Sequence, residues 1–262
     1  MAWTEVVKFL ILANVTIFVA QSLFGLESIF YMNFALFPPA FFSGRLWQIV
    51  TYMFLHKDIT HILFNMIALW MFGSALERIW GSKEFLKYYL ITGIGGGLCF
   101  ALMNMSQVAF TVGASGAIFG LLLAFGVLFS EEIIYIWGIV PIKAKYLVLL
   151  IGGIELLASF NADSHIAHFA HLGGLIVGYI YLKIKGGGKT FASHFGGDRL
   201  KEWNRKIKEA DELREAQEIE RIRQELDELL DKINRVGLDG LTTKEKERLE
   251  EARKFLIDKG KK

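Results

Sequence analysis

The sequence predicts an all-α polytopic membrane protein, a bundle of six transmembrane helices followed by a small helical appendage in the cytoplasm. Three observations lead to this prediction. The chain of 262 residues is 53% hydrophobic, and most of its charged residues lie in the last third. Its apolar residues form six long stretches without the alternation of a β-strand. We therefore expect a membrane domain over residues 1–190 and a cytoplasmic helical region over residues 191–262.

Each apolar stretch approaches the ~20 residues that a helix needs to cross a bilayer. The stretches are residues 6–24, 59–76, 85–104, 115–129, 146–160 and 166–182. The first begins almost at Met1 and lacks a convincing small-residue cleavage site, so we expect a retained span rather than a removed signal peptide. The single Cys99 excludes an internal disulfide.

Basic residues predict the orientation, because short loops rich in Lys and Arg stay in the cytoplasm. The links after the second, fourth and sixth stretches carry most of those near the membrane, namely Arg78, Lys83, Lys87, Lys143, Lys145, Lys183, Lys185 and Lys189. Both termini should then be cytoplasmic. The basic residues are explained as topology signals and as solvated faces of helices. The net charge of +2 is therefore no evidence for nucleic-acid binding, and we expect no nucleic-acid partner.

Two ladders of small residues head the fourth and sixth stretches. Their members are spaced four apart, and they are Gly116, Gly120 and Ala124 in one and Ala170, Gly174 and Gly178 in the other. Small residues at that spacing let two membrane helices approach closely. Since Ser115 is next to the first member of one ladder and His171 is next to the first member of the other, close packing would bring a serine beside a histidine inside the bilayer.

Ser115 lies at a junction that suits acyl chemistry. It follows Gly113 and Ala114 where a loop meets a helix, so free backbone N–H groups and the helix dipole favour a developing oxyanion. The fourth stretch covers only about 22 Å of a ~30 Å hydrocarbon core, which would leave Ser115 some 8 Å below the outer surface. Ordinary helix packing or an N-cap are the alternative explanations of this serine.

Three polar residues of the second and sixth stretches have matching functional interpretations. His171 is an ionisable group within a span, and a histidine beside a serine supplies a general base. His61 and Asn65 are four apart, so both point from one helical face and suit an oxyanion, with Asp58 as the N-cap before them. Structural hydrogen bonds between helices are the alternative for all three.

A metal site is the competing chemistry. His168 lies three residues from His171, and Glu155 is the one acid of the fifth stretch. No His-Glu-x-x-His pattern is present, so we predict no metal ion and no cofactor, and Glu155 has no assigned role.

Taken together, these residues resemble the rhomboid family of intramembrane serine proteases over about residues 45–182. The motifs are Trp47 before Phe54-Leu55-His56, His61-Ile62-Leu63-Phe64-Asn65, Gly113-Ala114-Ser115-Gly116 and Ala170-His171-Leu172-Gly173-Gly174. The resemblance implies a Ser115 nucleophile and His171 as the general base of a dyad. It also implies an oxyanion hole of His61, Asn65 and the Ala114 and Ser115 backbone, and transmembrane proteins as substrates. The orientation predicted from the basic residues puts the N-terminal ends of the second, fourth and sixth stretches toward the outside, so the active site should open toward the outer face of the cell membrane.

One departure from the family concerns the first loop. Many members carry Trp-Arg where this chain has Trp47-Gln48, which affects loop anchoring rather than the dyad. The apolar segment over residues 34–42 suits either shallow embedding in lipid or packing on the bundle.

The C-terminal part changes composition after the glycines at 186–188. Its spacing predicts a long helix to about Val236, a turn over residues 237–240, and a second helix opened by a capping box of Thr242 and Glu245. Two interpretations of these helices remain: a solvated helical hairpin, or a coiled coil for self-association or for binding a protein partner.

Two other function classes remain alternatives to the protease. One is a catalytically idle protein of the same fold that binds membrane helices. The other is a transport path or metal site built from the same polar cluster.

Overall fold

The computed structural model describes residues 3–23, 25–136, 139–159, 168–186, 197–237, 240–242, 244–246, 248–250 and 252–253. The chain forms two compact units, Met1–Gly197 and Asp198–Lys262. The helices are α1 (Glu5–Leu23), α2 (Glu27–Phe34), α3 (Pro38–Phe42), α4 (Gln48–Thr51), α5 (Ile59–Ala68), α6 (Ser74–Trp80), α7 (Ser82–Met103), α8 (Ser115–Leu128), α9 (Ala144–Ser159), α10 (His168–Gly186) and α11 (Gly197–Val236). A 3₁₀ turn at Tyr52–Phe54 follows α4, and a π-helical turn at Leu69–Gly73 joins α5 to α6.

The prediction of a mostly helical chain with apolar membrane helices is confirmed. Among the described residues, three segments are long and apolar enough to cross a membrane, Glu5–Ser22, Ile59–Trp80 and Ser82–Met103. Ser115–Leu128 is a shorter apolar helix. The helices α9 and α10 occupy the places of the fifth and sixth predicted stretches, whose facing ends at residues 160 and 166 lie outside the described residues.

The expectation of a purely helical fold is wrong in the link after α8. There the strands β1 (Ile133–Ile136) and β2 (Val140–Lys143) pair antiparallel. Four-residue strands are too short to give a readable alternation, although the isoleucines of β1 favour extended backbone. At the base of the hairpin, Lys143 and Lys145 contact Glu131 and lower its pKa to about 2. This contact stabilises the link above the ordinary carboxyl pKa and is lost as the pH falls toward 2.

The centre of the first unit is formed by α7, α8 and α10. Four aromatic side chains of α7 are fully buried, Phe85, Tyr88, Tyr89 and Phe100. The Tyr88 hydroxyl donates to the Gly120 carbonyl of α8 at 2.8 Å. Small residues bring the backbones together, since a methyl group at Gly96 of α7 would lie 2.5 Å from the Ala170 carbonyl of α10. Within lipid the hydrophobic effect does not drive helices together, so van der Waals contact between close backbones stabilises their association instead.

The N-terminal end of α1 is capped from a distant helix. Glu77, a buried carboxylate of α6, accepts the backbone N–H groups of Val6 and Val7 at 3.0 Å each. It also accepts the hydroxyl of Ser82 at 2.7 Å. Because the first N–H groups of a helix have no partner within the helix, this carboxylate fixes where α1 meets the bundle.

The second unit is helical in its described residues. The long helix α11 ends at Val236, as predicted, and Gly237 follows with a positive φ of 79°. The capping box is present, since the Thr242 N–H donates to Glu245 at 2.9 Å and the Glu245 N–H donates to the Thr242 hydroxyl at 3.4 Å. Lys232 of α11 pairs with the same Glu245 at 2.7 Å. Residues 238–239 of the predicted turn lie outside the described residues.

Replacing Glu77 should destabilise the bundle through α1. Glu77→Ala leaves two backbone N–H groups without their acceptor, and we expect a loss of about 1–3 kcal/mol in the free energy of unfolding. Thermal unfolding in detergent measures this loss. Glu5→Ala is the matched control, because Glu5 is an exposed carboxylate in the first turn of α1, next to the two N–H groups that Glu77 accepts. Equal stability of the two variants would contradict the capping role.

Candidate active site

The loop that leads to Ser115 is held by main-chain hydrogen bonds. Thr111 and Leu36 exchange two N–H to carbonyl bonds of 3.0 and 3.1 Å, which tie this loop to the segment between α2 and α3. The Gly113 N–H then donates to the Tyr52 carbonyl at 2.9 Å. Gly113 has a φ of +123°, a conformation that favours glycine, and it turns the chain into α8. Ser115 is the first residue of that helix.

The two ladders of small residues face each other in the structure. A methyl group at Gly174 would lie 1.9 Å from the Gly116 carbonyl oxygen, and one at Gly178 would lie 3.4 Å from the Gly120 Cα. The backbones of α8 and α10 are therefore in direct contact over at least one turn, and side chains at these positions would drive them apart.

This approach brings Ser115 and His171 together. The Ser115 Oγ lies 2.7 Å from the His171 Nε2, a hydrogen-bond distance between side chains that are 56 positions apart in the chain. The His171 ring stacks on Phe119, with ring centroids 4.2 Å apart and planes 6° apart. Sequence reasoning missed Phe119, although its place one turn after Ser115 puts it on the same face of α8.

His61 and Asn65 lie against the loop that leads to Ser115. A methyl group at Gly113 would come within 2.8 Å of the His61 Nε2 and 3.7 Å of the Asn65 Nδ2. The Lys57 N–H donates to the His61 Nδ1 at 3.4 Å, which leaves the His61 proton on the Nε2 that faces the loop. Asp58 accepts the His61 N–H at 2.8 Å, as the predicted N-cap. The buried Asn65 Nδ2 has no partner among the described residues, so it is a free donor at this place.

The start of α8 adds backbone donors to these side chains. Ala114 is buried and gives the helix no side-chain cap. The first N–H to be bonded within the helix is that of Ile118, which donates to the Ala114 carbonyl at 3.0 Å. The earlier N–H groups and the positive end of the helix dipole are therefore available to an anion beside Ser115.

Glu155 of α9, which the sequence left unassigned, reaches this site. Its Oε2 lies 2.5 Å from the His168 Nδ1 and 3.1 Å from the His171 Nδ1. One ligand atom from each of the three side chains falls within 4.8 Å of the others, a donor set of two imidazoles and a carboxylate that zinc can use. This contact could not be predicted from the sequence, because Glu155 lies on α9 and the two histidines lie on α10, and the pattern of one helix does not say which of its faces meets another helix.

Comparison with known proteins places the first unit among membrane proteins of one family. A model of the Rhomboid domain matches residues 43–187, and a family of unknown function (DUF6576) matches residues 214–254. The chain is similar to RHOMBOID-like protein 12, mitochondrial, of Arabidopsis thaliana, with 32% identity over 67% of this chain and 57% of the relative.

Two further relatives match a shorter segment. RHOMBOID-like protein 1 of Arabidopsis thaliana is 36% identical over 52% of this chain and 33% of its own length. Rhomboid protease GluP of Bacillus subtilis is 38% identical over 52% of this chain and 25% of its own length. The chain thus spans between a quarter and somewhat more than half of these relatives.

Separating α8 from α10 should disable the site. Gly174→Ala places a methyl group against the Gly116 carbonyl, and we expect about 1–3 kcal/mol of destabilisation together with a lengthened Ser115–His171 contact. Gly153→Ala is the matched control, since a methyl group at Gly153 of α9 meets nothing within 4 Å. Thermal unfolding and the reactivity of Ser115 toward a serine reagent measure both effects. Normal stability and reactivity in Gly174→Ala would contradict the contact.

Proposed function

This chain belongs to the rhomboid family, and we propose that it is an intramembrane serine endopeptidase that uses Ser115 and His171 as a catalytic dyad. The observation that carries the proposal is the 2.7 Å separation between the Ser115 Oγ and the His171 Nε2 at the uncapped start of α8. A catalytically idle binder of membrane helices needs neither this pair nor free donors beside it. The named protease among the relatives supports the same reaction class.

The reaction follows from the atoms at the site. The Ser115 Oγ attacks the carbonyl carbon of a substrate peptide bond while the His171 Nε2 takes the hydroxyl proton. The same Nε2 then gives that proton to the leaving amine, which breaks the C–N bond and leaves an ester on Ser115. A water molecule, activated by His171 in the same way, hydrolyses the ester and frees the serine.

The oxyanion of the tetrahedral intermediate would be held by three sources of donors. They are the His61 Nε2, the Asn65 Nδ2, and the backbone N–H groups at Ala114 and Ser115. The Asn65 amide supports this role best, because an unpartnered buried donor costs free energy unless it has a ligand to bind.

The membrane arrangement is part of the proposal. Six helices would cross the bilayer, α1, the segment from α5 to α6, α7, α8, α9 and α10, with both termini in the cytoplasm and the site opening toward the outer face of the cell membrane. At 1.5 Å per residue, α8 spans about 21 Å of a ~30 Å core, so Ser115 would lie roughly 9 Å below the outer surface. Labelling of Lys189 by an impermeant amine reagent from the outside of sealed cells would contradict this orientation.

The second unit would act as a partner site rather than as part of the chemistry. Its residues lack a cluster of catalytic type in the sequence, and α11 carries ion pairs along its surface, such as Arg205 with Glu202 and Glu209. We place self-association or binding of another protein here. Loss of the unit should then change assembly in detergent without changing the intrinsic reactivity of Ser115.

An activated serine is the first testable consequence. We expect a fluorophosphonate to label the detergent-purified protein, and Ser115→Ala and His171→Ala to abolish the labelling, because the reagent needs both nucleophile and base. Labelled protein on a gel is the readout. Ser74→Ala is the matched control, since Ser74 is also a buried serine of a membrane helix but its hydroxyl has no hydrogen-bond partner among the residues that the structure describes.

The same assay extends to the proposed oxyanion donors. Asn65→Ala and His61→Ala should each lower the rate of labelling about 10²–10³-fold, because the phosphonate oxygen would occupy the place of the oxyanion. Labelling of the folded parent at another residue, or its absence, would contradict the proposal.

The substrate is proposed to be a membrane protein whose transmembrane helix unwinds locally. A hydrogen-bonded helix hides its carbonyls from Ser115, so residues that break helices should favour cleavage. We expect a single-span substrate with Gly and Pro near one end to be cut faster than the same substrate with a polyleucine helix. Mass spectrometry of the products in liposomes measures the two rates. Equal cleavage of both substrates would contradict this preference.

A further inference from the structure

The carboxylate of Glu155 is an unusual group to find on α9. Between Leu147 and Ala158 the helix is otherwise apolar, and it presents Leu149, Ile154 and Leu157 outward, each at least half exposed. The Glu155 side chain is only 15% exposed, so it turns inward against α10. An ionisable group within a membrane helix is costly unless it is paired, which points to a specific use.

The partner of this carboxylate is the ring that the proposed mechanism uses as its base. The His171 Nδ1 is shielded from solvent and has no aligned hydrogen bond among the described residues, yet it lies 3.1 Å from the Glu155 Oε2. Glu155 is the acceptor within reach of this nitrogen in the described part of the chain. An N–H left unpaired at this buried nitrogen would be destabilising, so the carboxylate 3.1 Å away favours a hydrogen bond there.

The tautomer of His171 depends on that contact. For the Ser115 hydroxyl to donate to the His171 Nε2, the ring proton must be on Nδ1, where it faces Glu155. The stack on Phe119 fixes the plane of the ring but not its two flipped orientations, because both give the same ring overlap. A carboxylate at Nδ1 distinguishes between them.

His168 helps to keep Glu155 in place. Its Nδ1 lies 2.5 Å from the same oxygen, so a neutral His168 donates an N–H to the carboxylate and leaves its negative charge intact. That charge faces His171 in a site of low polarity, where it attracts the imidazolium that forms as His171 takes the serine proton. Among the described residues, the charged and titratable groups that face His171 are His168 of its own helix, Glu155 of α9, Ser115 of α8 and His61 of α5.

We propose that Glu155 is a positioning residue that completes a Ser115–His171–Glu155 triad in this chain. It holds the Nδ1 proton of His171, selects the ring orientation that faces Ser115, and stabilises the imidazolium. This inference deepens the proposed protease function, and the predicted effect of Glu155 on the cleavage rate rests on that function. The predicted effect of Glu155 on the His171 tautomer is independent of it.

The test uses the full-length protein with Glu155→Gln, which removes the charge, and Glu155→Leu, which suits an apolar helix. We expect both to lower kcat at least 100-fold on a cleaved single-span substrate with KM changed less than about threefold, in the range of losses known for acidic members of serine protease triads, up to about 10⁴-fold. Glu84→Gln is the matched control. Glu84 is a partly buried carboxylate of α7 that contacts Tyr181 and Lys185 instead of a histidine.

The second readout is the His171 tautomer, measured by ¹⁵N NMR on histidine-labelled Ser115→Ala protein. The His171 signal is identified by its loss in His171→Ala. We expect a single Nδ1–H tautomer with Glu155 present, and a mixture of tautomers or the Nε2–H form in Glu155→Leu. Near-parent kcat together with an unchanged tautomer in Glu155→Leu would overturn the proposal.

Two further outcomes have separate meanings. If the parent cleaves no substrate but its tautomer still depends on Glu155, the positioning role stands and the protease function fails. If EDTA changes the His171 signals of the parent and Zn²⁺ alone restores them, Glu155, His168 and His171 form a metal site, and the proposal is overturned.

Discussion

The contact between the backbones of α8 and α10 is the constraint on which the rest of the first unit depends. Within lipid, two helices gain little from burying apolar side chains, so they associate where their backbones can touch. Gly116 and Gly174 provide that place, with no room for a methyl group between them. Ser115 and His171, each next to the first small residue of its ladder, are brought to hydrogen-bond distance as a result of this packing.

The segments that carry the polar groups of the site are held in place by hydrogen bonds from the surrounding bundle. Main-chain bonds from Leu36 and Tyr52 fix the loop before Ser115, and Asp58 fixes the start of the helix that carries His61. A group held in place in this way has less freedom to lose when a substrate binds. The Asn65 Nδ2, which has no partner among the described residues, is such a group beside the serine.

Much of this arrangement could be predicted from the sequence because its signals are local. Hydropathy located the helices, the spacing of Gly116, Gly120, Gly174 and Gly178 indicated their contact faces, and Thr242 with Glu245 marked a helix start. The π-helical turn at Leu69–Gly73 and the hairpin after α8 were not foreseen, since the turn has five residues, each strand has four, and segments this short give no periodic signal.

Contacts between helices were harder to predict from the sequence than the helices themselves. The sequence showed that Glu155 is the one acid of its span, but neither the rotation of α9 nor its height beside α10 follows from the pattern of a single helix. The stacking of Phe119 on His171 is similar, because an aromatic residue one turn from a serine is common in ordinary helix packing. Both depend on how three helices are placed relative to one another.

The most direct test of the account is the mapping of the covalent adduct by mass spectrometry after the protein reacts with a fluorophosphonate in liposomes. The α8–α10 contact predicts one adduct per chain, on the peptide that contains Ser115. An adduct on a different residue, or a folded protein that forms none, would contradict the central claim that this contact builds an activated serine within the membrane.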